Sequence, residues 1–349
     1  MGEKAEKLKE QILDFIKGQP ACSSQQILDG LGLAISATTI KRYLHDLMLE
    51  ELVLPSGKNK ARKYKISPAY ELLRLIDIDA YFEKEIDERV IQHSFNQGII
   101  KNTLEQISIF THSEMEALQK HLQVYQSKVN NLSKEEYARE LERLAIDLSW
   151  KSSQIEGNTY TLLETEILLK EKHTASGRTR DEATMLLNHK DALDFIVSDP
   201  NYVNPLTISR IEDIHSLLVK ELPISRNIRN SSVGISGTNY KPLDNEFQIR
   251  EALQDMCDVI NNKKNVFEKA LLALLLISYI QPFSDGNKRT ARIISNAILI
   301  QYHYCPLSFR TIDSIDYKKA MLIFYEQTNI SPFKKIFITQ FEFAVNTYF

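Results

Sequence analysis

Few cross-links or backbone breakers constrain this 349-residue chain. Its three cysteines, Cys22, Cys257 and Cys305, lie far apart and form no CxxC or Cys/His ligand spacing. That argues against a disulfide scaffold or zinc site and fits a reducing, cytoplasmic setting. Eleven glycines and ten prolines leave few points where a helix must break, and there is no repeat or low-complexity tract. Long apolar runs are also missing. The longest, Ala270 to Ile280, is about half the roughly 20 residues a membrane span needs, so it reads as a buried helix of a soluble protein. Neither charge dominates: 43 Lys and Arg stand against 46 Asp and Glu, a net of -3. That excludes a wholesale nucleic-acid coat but leaves room for a local basic patch. The first residues are charged and carry no signal-peptide apolar stretch, and Glu6 departs from the myristoylation pattern.

Apolar residues make up 43% of the chain and recur mostly at helical spacing. The expected fold is mainly α, with two small β exceptions. Leu8, Ile12, Phe15 and Ile16 stripe a first helix that stops near Gly18 and Pro20. Ser23 and Ser24 cap a second, and a third starts at Ser36 and carries Ile40, Leu44 and Leu47. Leu52-Val53-Leu54, a turn at Pro55-Ser56-Gly57 and Lys60 to Ile66 then predict a hairpin. Three helices and a basic hairpin resemble a winged helix-turn-helix over residues 1–67. The resemblance implies DNA contacts from Thr38, Thr39, Lys41, Arg42 and His45 on the third helix, with wing residues Lys58, Lys60, Arg62, Lys63 and Lys65 on phosphates. Residues 1–67 hold eleven Lys and Arg against eight Asp and Glu, and a partner protein would suit them as well as DNA. Residues 68–130 read as a helical linker, with Tyr70, Leu73, Ile76 and Phe82 packing inward. Ser133 with Glu136 forms a capping box opening a third region, 131–349.

The segment Gln281-Pro282-Phe283-Ser284-Asp285-Gly286-Asn287-Lys288-Arg289-Thr290-Ala291-Arg292 carries the chemistry. A buried helix delivers the chain to a loop with a carboxylate, a glycine and an asparagine, and a new helix follows. Free backbone N–H groups and a positive dipole end there suit phosphate. Arg289 and Arg292 are three apart and share a face, which suits a polyphosphate. Asp285 among these cations is placed to hold Mg²⁺. The same residues would also make a capped helix with two solvated arginines.

The segment resembles the Fic (Fido) signature, His-x-Phe-x-Asp/Glu-Gly-Asn-Gly/Lys-Arg-x-x-Arg, at every position but the first. The resemblance implies a helical domain that binds ATP and Mg²⁺ and transfers AMP to a hydroxyl of a target protein. Asp285 would then bind the metal, while Gly286, Asn287, Lys288 and Arg289 hold the phosphates and Arg292 the γ-phosphate. Phe283 would anchor the loop. Upstream, Ser152-Ser153-Gln154-Ile155-Glu156-Gly157 resembles the family's inhibitory motif on a helix over about 145–158, which implies that Glu156 pairs with Arg292. Val233-Gly234-Ile235-Ser236-Gly237-Thr238 is the second β exception, resembling the family's hairpin flap that binds a target by strand addition.

The break in the pattern is Gln281, where the family has its catalytic histidine. Imidazole can take a proton near neutral pH; a carboxamide can only orient a hydroxyl or water. His215, His173 and His189 are not placed by the sequence to substitute. The expectation is an autoinhibited protein adenylyltransferase weakened at position 281. Two alternatives stay open: a nucleotide-responsive regulator coupled to DNA or a partner, and removal of AMP from a modified protein using Glu156. A homodimer is a further expectation drawn from the family.

Overall fold

The computed structural model describes residues 2–349 and divides into two compact units. The first comprises residues up to Leu75 together with Gln106–Met115; the second comprises Ile76–Glu105 and Glu116–Phe349.

In the first unit α1 (Gly2–Lys17), α2 (Ser24–Leu31) and α3 (Ala37–Leu49) precede strands β1 (Val53–Ser56) and β2 (Lys63–Ile66), and α4 (Tyr70–Leu73) follows. Ser23 and Gln26 form a capping box at α2, and the Ser36 hydroxyl accepts from the Thr39 amide at α3. Each cap satisfies amide donors that the first turn leaves unpaired. The strands pair antiparallel, with Val53 opposite Ile66. Ile12, Ile16, Ile27, Ile40, Leu44 and Val53 are buried, so one apolar stripe from each element makes the core.

The second unit is almost wholly helical. It holds α5 (Ile78–Phe82), a π-helical turn at Ile99–Leu104, and most of α6 (His112–Asn130). Then come α7 (Lys134–Ile155), α8 (Leu162–Glu171), α9 (Arg180–Ser198) and α10 (Ile208–Leu218). The series ends with α11 (Glu246–Asn262), α12 (Val266–Ile280), α13 (Asn287–Gln301), α14 (Ser314–Gln327) and α15 (Ser331–Thr347). Every residue of α12 is buried, as its all-round apolarity requires. After a six-residue loop α13 packs back along it, so both ends of the loop rest on the densest part of the core. The Ser133–Glu136 box starts α7 as expected.

The segment expected as a hairpin flap forms no strand: residues 233–240 run as an irregular arm with a turn at Ser236–Gly237. Val233 and Ile235 are half-buried while Gly234 and Ser236 are exposed. The alternation that signalled a hairpin is therefore real, but no second arm lies opposite to pair with it. The helix carrying the inhibitory motif ends at Ile155, short of 158, with Glu156 as its C-cap.

Candidate active site

The site forms where the ends of three helices, α7, α12 and α13, converge. Gln281 caps α12 in a left-handed conformation (φ 52°, ψ 58°). Its carboxamide is fully engaged: Nε2 donates to the Ser278 carbonyl at 2.7 Å and lies 3.4 Å from the Tyr325 hydroxyl, while Oε1 accepts from Asn287 Nδ2 at 2.9 Å. Asn287 also exchanges two hydrogen bonds with the Phe283 backbone, both 2.8 Å, and so closes the loop on itself. Phe283 is buried and stacks on His215, ring centroids 3.6 Å apart and planes within 4°. Gly286 takes φ +80°, and a Cβ there would meet the His215 ring at 3.2 Å. That position needs glycine both for its backbone conformation and for the close approach.

α13 begins at Asn287 with Gly286 as N-cap and no side chain bonded to its first amides. The cations of the motif meet there. Arg289, 1% exposed, lies 3.3 Å from Asp285 Oδ2. Among the described residues its Nε and Nη1 are buried without a partner, as is Nη1 of Arg292, whose guanidinium lies over the Tyr317 ring at 5.2 Å. Unpaired buried guanidinium N–H groups are costly, and here they belong to residues in the first two turns of α13. Asp285 keeps 61% of its side chain exposed, and its Oδ1 accepts from the Gly286 amide at 2.6 Å.

Glu156 reaches this cluster from the end of α7. Its Oε1 is 2.9 Å from Arg292 Nη2, and its Oε2 is 3.5 Å from Lys288 Nζ. Ser152 completes the hold on Arg292, accepting Nε at 2.8 Å on its hydroxyl and Nη2 at 3.0 Å on its carbonyl. Burial pushes the Glu156 carboxyl up, but the Arg292 and Lys288 charges outweigh it, so it sits below the usual carboxylate range. It is ionised at neutral pH. Gly157 follows at φ +99°, turning the chain sharply so that Glu156 faces inward.

The expected flap residues Val233, Gly234, Ile235 and Ser236 line a cavity of about 370 Å³ with Gln281, Asp285, Asn287, Lys288, Glu156 and α14 residues including Tyr325. Gly237 and Thr238 lie just beyond it. A larger cleft of about 640 Å³ at the far end of α13 is lined by Tyr125, Tyr137, Ile300 and Tyr304, with no lysine, arginine or carboxylate. It does not suit phosphate.

Neither buried histidine is a base for this cavity. Burial drives the His215 imidazole down to about 4, the Ser225 carbonyl opposing and the Arg289 charge adding to the fall. Its Nδ1 is 3.3 Å from the Thr290 hydroxyl and its Nε2 is 3.2 Å from the Ser225 carbonyl. His189 on α9 is fully buried, and burial with the Arg292 and Arg289 charges keeps it neutral.

Sequence reasoning missed two contributors, Tyr325 and Arg229, and two further roles of residues it named, Asn287 as loop clamp and Lys288 as second partner of Glu156. Buried Arg229 donates Nε to the Gln281 carbonyl and Nη1 to the Ser231 carbonyl, both at 2.6 Å. Apart from Asn287 and Lys288, which sit inside the motif, these residues lie far from it in sequence, and no local spacing marks them.

Comparison with known proteins finds relatives for part of this unit. Residues 205–299 match the Fic/DOC family. A protein adenylyltransferase Fic from Nematostella vectensis is 29% identical over 173 residues, 48% of this chain and 40% of that protein. The chain thus spans well under half the length of the curated relatives it matches. Fic-1 from C. elegans superposes with a TM-score of 0.59 at 21% identity, covering 68% of this chain and 72% of that one. A Fic domain containing signaling protein from Bacteroides thetaiotaomicron gives 0.56 at 22%, covering 66% and 94%. A Fic/DOC domain therefore occupies residues 205–299 of this chain, with Gln281 and both arginines inside it and Glu156 outside it.

Proposed function

We propose that the cavity binds ATP and that this is a protein adenylyltransferase site held inhibited by Glu156 and slowed by Gln281. The carrying observation is the uncapped start of α13, with Asn287 and Lys288 in the cavity wall and three N–H groups of Arg289 and Arg292 buried without a partner among the described residues. A phosphate chain would satisfy them and gain the helix dipole. Asp285, exposed beside those groups, would hold Mg²⁺ together with the phosphates, since Mg²⁺ commonly takes one or two carboxylates plus substrate oxygens. When bound, the ion neutralises phosphate charge.

Glu156 occupies the guanidinium that would take the γ-phosphate, so ATP must displace a charge-assisted pair or bind without that contact. In AMP transfer a target hydroxyl oxygen bonds to the α-phosphorus, pyrophosphate leaves, and the hydroxyl proton needs an acceptor. Both polar ends of the Gln281 side chain are already engaged, Nε2 with the Ser278 carbonyl of α12 and Oε1 with Asn287 at the start of α13, and an amide has no useful basicity. Loss of a general base costs about 10² to 10⁴ in rate.

Self-labelling with α-phosphate-labelled ATP and Mg²⁺ tests this. Glu156→Gly should bind an ATP analogue about tenfold more tightly, a gain of about 1.4 kcal/mol, with faint label. Glu156→Gly combined with Gln281→His should label strongly. No nucleotide binding in any form would overturn the reading.

A second reading is favoured by the first unit's surface. Thr38, Lys41, Arg42 and His45 are exposed along α3, and Lys58, Arg62, Lys63 and Lys65 along the hairpin; Thr39 is half-buried in the α3 cap. The Lys60 side chain lies outside the described residues. Among the described residues none of these lysines and arginines has an acidic partner, whereas Glu50 and Glu71 are paired with Lys9 and Lys17. We infer a winged-helix surface for duplex DNA. Binding should weaken with salt, and the combined change Arg62→Ala, Lys63→Ala should lower the salt slope by about one for each phosphate these side chains neutralise. A salt-independent interaction would point to a protein partner instead.

A further inference from the structure

The turn that follows Glu156 is fastened to the start of α9 by one carboxylate. Glu182, in the first turn of α9, makes that helix's capping box with Thr179, its Oε2 accepting the Thr179 amide and hydroxyl, both at 2.9 Å. Its other oxygen serves a different element. Oε1 accepts the Thr159 amide at 2.8 Å and the Thr159 hydroxyl at 2.6 Å. Asn158 Nδ2 donates to the Glu182 carbonyl at 2.9 Å, and Asn158 Oδ1 accepts the Tyr160 amide at 3.0 Å. The Thr159 hydroxyl, then the Thr179 and Thr159 amides, hold the Glu182 carboxyl down to about 2, so it is ionised at neutral pH.

The end of α7 has little else to keep it wound. The last carbonyls of a helix lack partners further along it, and its final turn frays first. Glu156 caps α7, and its amide donates back to the Ser153 carbonyl at 3.1 Å. The Gly157 and Asn158 amides donate to the Gln154 and Ser153 carbonyls, both at 3.0 Å. These three bonds stay within the last turn itself. No atom lies within 4 Å of where a Cβ on Gly157 would stand, so packing does not hold the turn there. The Glu156 carboxylate is held by Arg292 and Lys288, the two cations for which a nucleotide's phosphates would compete. Beyond the turn, Tyr160 is buried against Leu168, Ala183 and Leu186, and its carbonyl accepts Trp150 Nε1 at 3.1 Å. Residues 156–159 are therefore the stretch that Glu182 controls.

We propose that Glu182 is a positioning residue for inhibition: through Thr159 it holds the turn that keeps Glu156 on Arg292. The proposal rests on the reading of Glu156 as the group that ATP must displace. Only Gly157 and Asn158 separate Glu156 from Thr159, so a fixed Thr159 leaves the carboxylate little room to withdraw. With the Glu182 carboxylate removed, the last turn of α7 can unwind as phosphate arrives, and Glu156 leaves with it. Tyr160 and the core beneath it stay in place.

A fluorescent ATP analogue titrated into the full chain tests this in a double-mutant cycle with Glu156→Gly. Glu182→Ala should bind the analogue about fivefold more tightly than wild type, within the range of couplings measured between neighbouring residues. In the Glu156→Gly background the same change should have no effect, because the carboxylate it positions is gone. Thr159→Val deletes only the hydroxyl, keeps the α9 cap, and should give a smaller gain of the same kind. Thr179→Ala removes a cap of α9 but keeps both Thr159 bonds, and should bind the analogue as wild type does. A merely structural role would weaken binding, or shift it equally in both backgrounds. Equal shifts with and without Glu156, or no gain in Glu182→Ala and Thr159→Val while Glu156→Gly binds tightly, would overturn the proposal alone. If Glu156→Gly itself binds no more tightly than wild type, the inhibitory reading falls and this proposal with it.

Discussion

At the scale of single residues, the site is held by groups whose environments forbid their usual behaviour. His215 is buried against Phe283 with a pKa near 4, against 6.5 for an ordinary imidazole. Its folded pKa is depressed, so between those values the unfolded chain binds a proton the folded one refuses, and stability falls as pH drops from about 6.5 toward 4. The full difference is on the order of 3 kcal/mol. Urea unfolding across that pH range should show the slope, and His215→Gln should flatten it. A Cβ at Gly157 would meet open space, but the backbone there has a φ of +99°. Gly157→Ala should cost about 1–2 kcal/mol through backbone strain alone. Because relaxation would swing Glu156, an ATP analogue should bind this variant more tightly than wild type. Unchanged affinity would show that the turn does not aim the carboxylate.

At the scale of elements, the loop between α12 and α13 is the least replaceable piece. It has no regular hydrogen-bond ladder, and Asn287 supplies one by serving both the Phe283 backbone and Gln281. Asn287→Ala removes three hydrogen bonds at a buried position and should cost about 2–3 kcal/mol. Nucleotide affinity should fall with it, because the first amides of α13 lose their fixed direction. Calorimetry in the absence and presence of an ATP analogue measures both. Preserved affinity with lowered stability would mean that α13 is fixed by core packing alone.

At the scale of the whole molecule, two units carry two kinds of surface: lysines and arginines on α3 and the hairpin with no acidic partner among the described residues, and in the helical unit a cavity lined by Glu156, Asp285 and Lys288. A ligand stabilises the part it binds in proportion to its occupancy. Melting followed by a probe in each unit should therefore show an ATP analogue raising the helical unit's transition. Duplex DNA should raise that of the first unit. Equal shifts of both transitions by either ligand would show that the units unfold as one.

Local pattern in the sequence decided the helices, their caps and the hairpin. Ser23, Ser36 and Ser133 act on amides within three residues of themselves, and the all-apolar run of α12 has no face to turn to water. The signature loop was legible for the same reason: its residues lie within a dozen positions, so their juxtaposition follows from the helix that starts there. The pairing of Glu156 with Arg292 spans 136 positions and was reached through family resemblance, not through spacing. Only the tertiary structure decided the rest. Whether residues 233–240 find a strand partner depends on what lies opposite, and the neighbouring segment offers one bridge, Ser94 to Lys241 just past the arm, not a second arm. The same holds for Gln281, whose amide could have faced substrate but is drawn inward by Asn287 and Ser278. The side chains that settle such outcomes, Arg229 and Tyr325 among them, come from distant parts of the chain, and their hydrogen bonds exist only once the core has brought those parts together.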